Sequence, residues 1–172
     1  MTVGLYSNVT FLTLAASKVC YTRPDSEETM TSSWTEISAN WKEENTFIAT
    51  NAAGGTVQMG TLDGKPGVGP MSLLLVGLAG CTGMDIVSIL QKKRVNLTAM
   101  QVKVRAKRAE EYPMIWTDIH VQYLIWGENI QTRDVEQAIE LSEQKYCSVG
   151  IMLAKSATVT SEYHILLPGE NL

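Results

Sequence analysis

Three cysteines, Cys20, Cys81 and Cys147, and two histidines, His120 and His164, carry the nucleophilic and soft-ligand chemistry of this chain. Their spacing excludes more than it selects. Three cysteines so far apart cannot build the disulfide framework of a small secreted domain. No Cys-x-x-Cys occurs, and neither histidine has a second ligand at helical spacing, so no metal site is read. Both histidines fall in predicted strands and read as surface or hydrogen-bonded core residues. Cys81 lies in an apolar helix, where a lone cysteine ordinarily behaves as a small, inert hydrophobe. Cys147 stands at a helix–helix junction. Free N–H groups at the start of the second helix would stabilise a thiolate there and lower its pKa; capping or packing accounts for the residue equally well.

The elements around these residues are legible from periodicity. From Trp34 the chain reads as strands: WTEISANW alternates, TFIATN is rich in β-formers, and GGTVQMG follows a glycine turn. The stretch TLDGKPGVG is a loop. Pro70 then opens the strongest helix, at a position where a missing N–H is harmless. It runs from Met71 to Arg94 and ends in a basic turn suited to the helix dipole. At 1.5 Å per residue that is about 36 Å. Its first half is apolar nearly all round and is expected to be buried on every side, inside a dimer. Gly77, Ala79, Gly80 and Gly83 would admit a close backbone. Apolar character is taken to stop at Asp85, short of the roughly 20 residues of a membrane span. LTAMQVKVRAKRA and MIWTDIHVQYLIWG follow as alternating strands joined at EEYP. A helix capped by Thr132 presents Val135, Ala138, Ile139, Leu141 and Ser142 and ends near Tyr146; a short helix covers Ser148 to Lys155, and ATVTSEYHILL closes as a strand. The order predicts an α+β domain, an antiparallel sheet packed with a long central helix.

Composition fits one domain. The 172 residues are 45% hydrophobic and 19% charged, with a net charge of −4. That balance suits a globular fold and argues against a protein that neutralises nucleic-acid phosphates. The clusters Lys92-Lys93-Arg94 and Arg105-Lys107-Arg108 read as solvated ends and faces. Residues 1–30 read as an N-terminal extension ahead of a domain at 31–172. They lack the basic start of a secretory signal and are too polar to span a bilayer. The expected location is cytoplasmic.

Two segments taken together, GPMSLLLVGLAGCTGMDIVSIL and KYCSVGIML, in this order and in these elements, resemble the OsmC/Ohr family. The similarity runs from about Trp34 to Leu166. It is nearest to the branch in which the first cysteine precedes a Thr-Gly-x-Asp stretch, here Thr82-Gly83-Met84-Asp85. The resemblance implies an OsmC-like fold in an intertwined homodimer, no bound cofactor, and catalytic roles for Cys81 and Cys147. Cys81 would be the peroxidatic thiol, attacking an organic hydroperoxide. Cys147 would be the resolving thiol, forming a disulfide that an external dithiol or lipoyl-type reductant opens. Met71, Leu74, Leu75, Leu78, Met84 and Met152 could line an apolar substrate pocket, and plain core packing accounts for most of them.

The sequence departs from the family's peroxidases in two places. They carry a glutamate near the start of the long helix, where this chain has Met71-Ser72, and an arginine from the N-terminal strands, where it offers Lys42. Arg23 lies in the extension. Asp85, one turn after Cys81, shares its helical face, and a carboxylate there raises a thiol pKa unless it orients a cation. The alternative reading is therefore a non-catalytic protein of the same fold that binds a small hydrophobic or thiol ligand or senses redox state.

Overall fold

The computed structural model describes residues 34–170. The expected extension at 1–30, with Cys20 and Arg23, lies outside the described residues. From Ile37 the chain forms a three-stranded antiparallel meander, β1 (Ile37–Glu43), β2 (Thr46–Asn51) and β3 (Thr56–Met59). The predicted loop that follows contains a small hairpin, β4 (Thr61–Leu62) and β5 (Lys65–Pro66). Its Asp63-Gly64 turn puts both residues at positive φ, 50° and 71°, the conformation an Asp-Gly pair favours between two strands.

Helix α1 (Pro70–Lys92) starts at the proline, as expected. It ends where Arg94 takes φ 59°, a left-handed conformation that no helix continues. Strands β6 (Leu97–Arg108) and β7 (Trp116–Gly127) pair antiparallel over almost their full length. Then come α2 (Thr132–Leu141), a π-helical turn (Ser142–Tyr146), α3 (Ser148–Leu153) and β8 (Thr158–Leu166). Thr132 is the first helical residue rather than the cap; Gln131 holds the cap position without a side-chain bond.

The second sheet has the order β6-β7-β8, so β7 is central. The expectation of an antiparallel sheet fails at one pairing: β8 runs parallel to β7, with Asp118 opposite Thr158 and Trp126 opposite Leu166. The cause is the connection, because α2 and α3 form a helical crossover that returns the chain to the end where β7 began. Along β7, Ile119, Val121, Tyr123 and Ile125 point to one face and are buried there. Against them lies one stripe of α1, Leu78, Thr82, Ile86 and Leu90, each at most 2% exposed. α2 adds Val135, Ala138 and Ile139.

Burial of α1 on every side does not hold within one chain. The stripe opposite the core, Ser72, Val76, Gly80, Met84 and Ser88, is exposed along its whole length, with Met84 at 76%. The small residues divide accordingly. A Cβ on Gly83 would stand 3.2 Å from Val102 of β6, whereas one on Gly80 would meet nothing within 4 Å. Apolar character also continues past Asp85 through Ile86, Val87, Ile89 and Leu90. By length and composition α1 could therefore cross a bilayer, with a mean hydropathy of 2.0 over 18 residues. Its buried stripe packs on the sheet instead.

Candidate functional site

The helical elements converge on the two sequence-predicted thiols. Cys81 lies in mid-α1, half-buried, on the flank of the core stripe, with Asp85 one turn further along the same flank. Cys147 arrives from the other side, fully buried at the N-cap of α3. What delivers it is the π turn: Cys147 N–H bonds the Ser142 carbonyl at 2.8 Å, five residues back. The two sulfurs and a carboxylate oxygen of Asp85 all lie within 4.8 Å of one another. Both thiols are free.

Two residues that sequence reasoning gave no site role hold this arrangement. Ser142, fully buried, donates from Oγ to Asp85 Oδ2 at 3.0 Å. Its signal was a polar residue in phase with the apolar face Val135-Ala138-Ile139 of α2. Gly150 donates its N–H to Cys147 Sγ at 3.2 Å. A Cβ there would stand 3.3 Å from that sulfur and 3.4 Å from Leu78 Cδ1, so any larger residue would crowd both side chains.

The expectation that helix N–H groups depress the Cys147 pKa is overturned. The Gly150 N–H does act in that direction, but burial outweighs it, and with the adjoining Cys81 and Asp85 it pushes the thiol up to about 12. Among the described residues no lysine or arginine nitrogen comes within 4.0 Å of Asp85. Lys42 lies on β1, which is exposed throughout. Lys93, at the far end of α1, pairs with Asp134 at 2.7 Å.

A cavity of about 170 Å³ opens beside Cys147. Leu78 and Val159 give it an apolar wall, and Thr82, Tyr123 and Glu143 a polar one. Tyr123 Oη donates to Glu143 Oε1 at 3.3 Å, and burial together with the Glu143 charge drives the phenol pKa upward. Of the six side chains offered as a pocket lining or core packing, Leu78 lines this cavity, and Leu74, Met84 and Met152 are exposed on the surface of the chain. Neither histidine joins the site. His120 bonds Thr160 at 2.9 Å, and both histidines flank Glu162 on the sheet.

This architecture recurs in known proteins. The sequence profile of the family described as OsmC-like protein matches residues 62–162. Protein YhfA of Escherichia coli is 35% identical over 126 residues, which cover 73% of this chain and 94% of the relative. A hypothetical protein of Aquifex aeolicus superposes with a TM-score of 0.71 at 30% identity, over 79% of this chain and 98% of its own. The organic hydroperoxide resistance protein OhrB of Bacillus subtilis, at 13% identity and a TM-score of 0.53, shares the fold over 76% of this chain and 98% of its own. A profile match across more than half of the residues, joined to a relative aligned over nearly its full length, makes this chain a member of the OsmC-like protein family.

Proposed function

We propose that the chain reduces organic hydroperoxides by a two-cysteine cycle, as a cytoplasmic homodimer. The observation that carries this reading is the pair of free thiols brought within 4.8 Å by separate elements, Cys81 half-exposed and Cys147 buried. The Cys81 thiolate attacks one oxygen of the O–O bond. The alkoxide leaves and takes a proton, giving an alcohol and Cys81 sulfenic acid. Cys147 then forms the S–S bond and the sulfenic oxygen departs as water. An external dithiol supplies two electrons and two protons to restore both thiols. Modest local movement closes the remaining gap to the S–S length of about 2.05 Å.

The cycle is tested with cumene hydroperoxide and a dithiol. Wild type consumes peroxide and, after one equivalent, yields a Cys81–Cys147 disulfide by mass spectrometry. Cys81→Ser abolishes turnover, because a serine hydroxyl does not ionise to a comparable nucleophile near neutral pH. Cys147→Ser stalls at a sulfenic acid that dimedone traps. Peroxide consumption no faster than that of a small free thiol would overturn the proposal.

One observation favours a second reading. The acidic residue beside the thiols has no cation within ion-pairing distance among the described residues, and an unbalanced carboxylate opposes thiolate formation. A non-catalytic protein that takes a small ligand in the Cys147 cavity or senses redox state would keep the fold and fail the peroxide assay.

A further inference from the structure

The same geometry has a second chemical use. Cys81 Sγ, Cys147 Sγ and an Asp85 oxygen are mutually within 4.8 Å; one tetrahedral ion with metal–sulfur distances of about 2.3 Å holds its sulfurs about 3.8 Å apart, so a shift of at most about an ångström brings the three ligands onto one ion. Cys81 and Asp85 stand at i and i+4 on α1, so the helix sets their relative orientation, while the N-cap position fixes Cys147. Ser142 occupies Asp85 Oδ2, and Oδ1 has no hydrogen-bond partner among the described residues. A hydroxyl behind a ligating carboxylate is the usual outer-shell support of a metal site. Among the described residues no lysine or arginine nitrogen lies within 4.0 Å of Asp85, so no ion pair occupies the carboxylate.

We infer that the reduced chain binds one thiophilic divalent cation of the Zn²⁺ class through Cys81, Cys147 and Asp85, with a fourth position open. Two thiolates and a carboxylate form a soft, three-anion donor set suited to Zn²⁺ over Mg²⁺ or Ca²⁺. On binding, the two thiol protons pass to solvent. The site was not legible in the sequence because its ligands are separated by 66 positions and meet only through the π turn. It does not rest on the peroxide reading: metal and peroxide would compete for the same thiols, and a disulfide between them would expel the ion.

Co²⁺ is the spectroscopic probe. The full chain carrying Cys20→Ser is reduced, freed of metal with a chelator and titrated anaerobically. One equivalent of Co²⁺ per subunit should give thiolate-to-cobalt charge-transfer absorption and the intense visible bands of a tetrahedral ion, and Zn²⁺ should displace it. Cys81→Ser, Cys147→Ser and the diamide-oxidised disulfide should each lose the charge-transfer signal. Asp85→Asn, which keeps both thiols, should weaken binding at least about tenfold, and Ser142→Ala should weaken it to a lesser degree, as outer-shell changes do. Absence of the thiolate–cobalt bands in the reduced parent overturns the site. Undiminished affinity in a folded Asp85→Asn, checked by its thermal melt, overturns the three-ligand assignment. Peroxide turnover of the chelator-treated protein is measured separately, so the two proposals fail independently.

Discussion

At the scale of single residues, burial decides what the second thiol is. Cys147 is wholly inaccessible, and removal from water disfavours its charged form more than one N–H bond from Gly150 favours it. The consequence is a pH-dependent contribution to stability. A thiol whose pKa rises from 9.0 in the unfolded chain to about 12 when folded contributes fully below the lower value, and loses its contribution as pH climbs toward the upper one. In metal-free, reduced protein, the advantage of wild type over Cys147→Ala in urea melts should shrink steadily above about pH 9. Tyr123, also shifted upward, adds a slope of the same sign at higher pH, mostly common to both proteins because burial and the Glu143 charge outweigh the part due to Cys147. A constant gap would mean that the folded state does not hold this thiol protonated. The two cysteines themselves were legible in the sequence, as was the placement of Asp85 on the face of Cys81. Ser142 and Tyr123 were not recognised, because a polar residue in phase with an apolar face looks the same whether it points at a carboxylate or at solvent.

At the scale of elements, α1 shows what periodicity can and cannot convey. Pro70 and the long apolar run predicted the helix almost to its ends. Its sidedness was hidden because the residues on both faces of the first half are apolar, so the hydrophobic pattern does not mark which stripe meets the sheet. The structure assigns Leu78, Thr82, Ile86 and Leu90 to the core and Val76, Gly80 and Met84 to the opposite side. Ile86→Ala should therefore cost about 2–5 kcal/mol in denaturant melts, as truncations inside a packed core do. Ser88→Ala, on the opposite stripe, should stay within roughly 0.5 kcal/mol. Equal effects at the two positions would contradict this orientation of the helix. The direction of β8 was legible in principle, since two helices between β7 and β8 form the crossover that parallel pairing requires. The π turn was not legible, because a bond from residue i+5 instead of i+4 leaves no trace in side-chain spacing.

At the scale of the whole molecule, the surfaces left bare argue for a second copy of the chain. Every residue of β1 is exposed, with Ile37 at 59% and Trp41 at 63%. On α1, Leu74 and Val76 before Cys81 and Met84 after it are exposed. Exposed hydrophobics that gather on one face, unlike single scattered ones, mark surfaces that another chain covers. A homodimer that joined these faces would bury on the order of 2,000 Å² or more, the range of obligate interfaces. Arginine at the α1 surface separates this from a packing role inside one chain. Val76→Arg and Met84→Arg remove nothing from the core, so each subunit should keep its circular dichroism while sedimentation shifts from dimer to monomer. The melting temperature of wild type should rise with protein concentration, since association stabilises by mass action, and that dependence should vanish in both variants. A wild-type chain that sediments as a folded monomer at about micromolar concentration, well above the dissociation constant expected of an obligate interface, would leave the exposed stripe of α1 without a partner of its own kind.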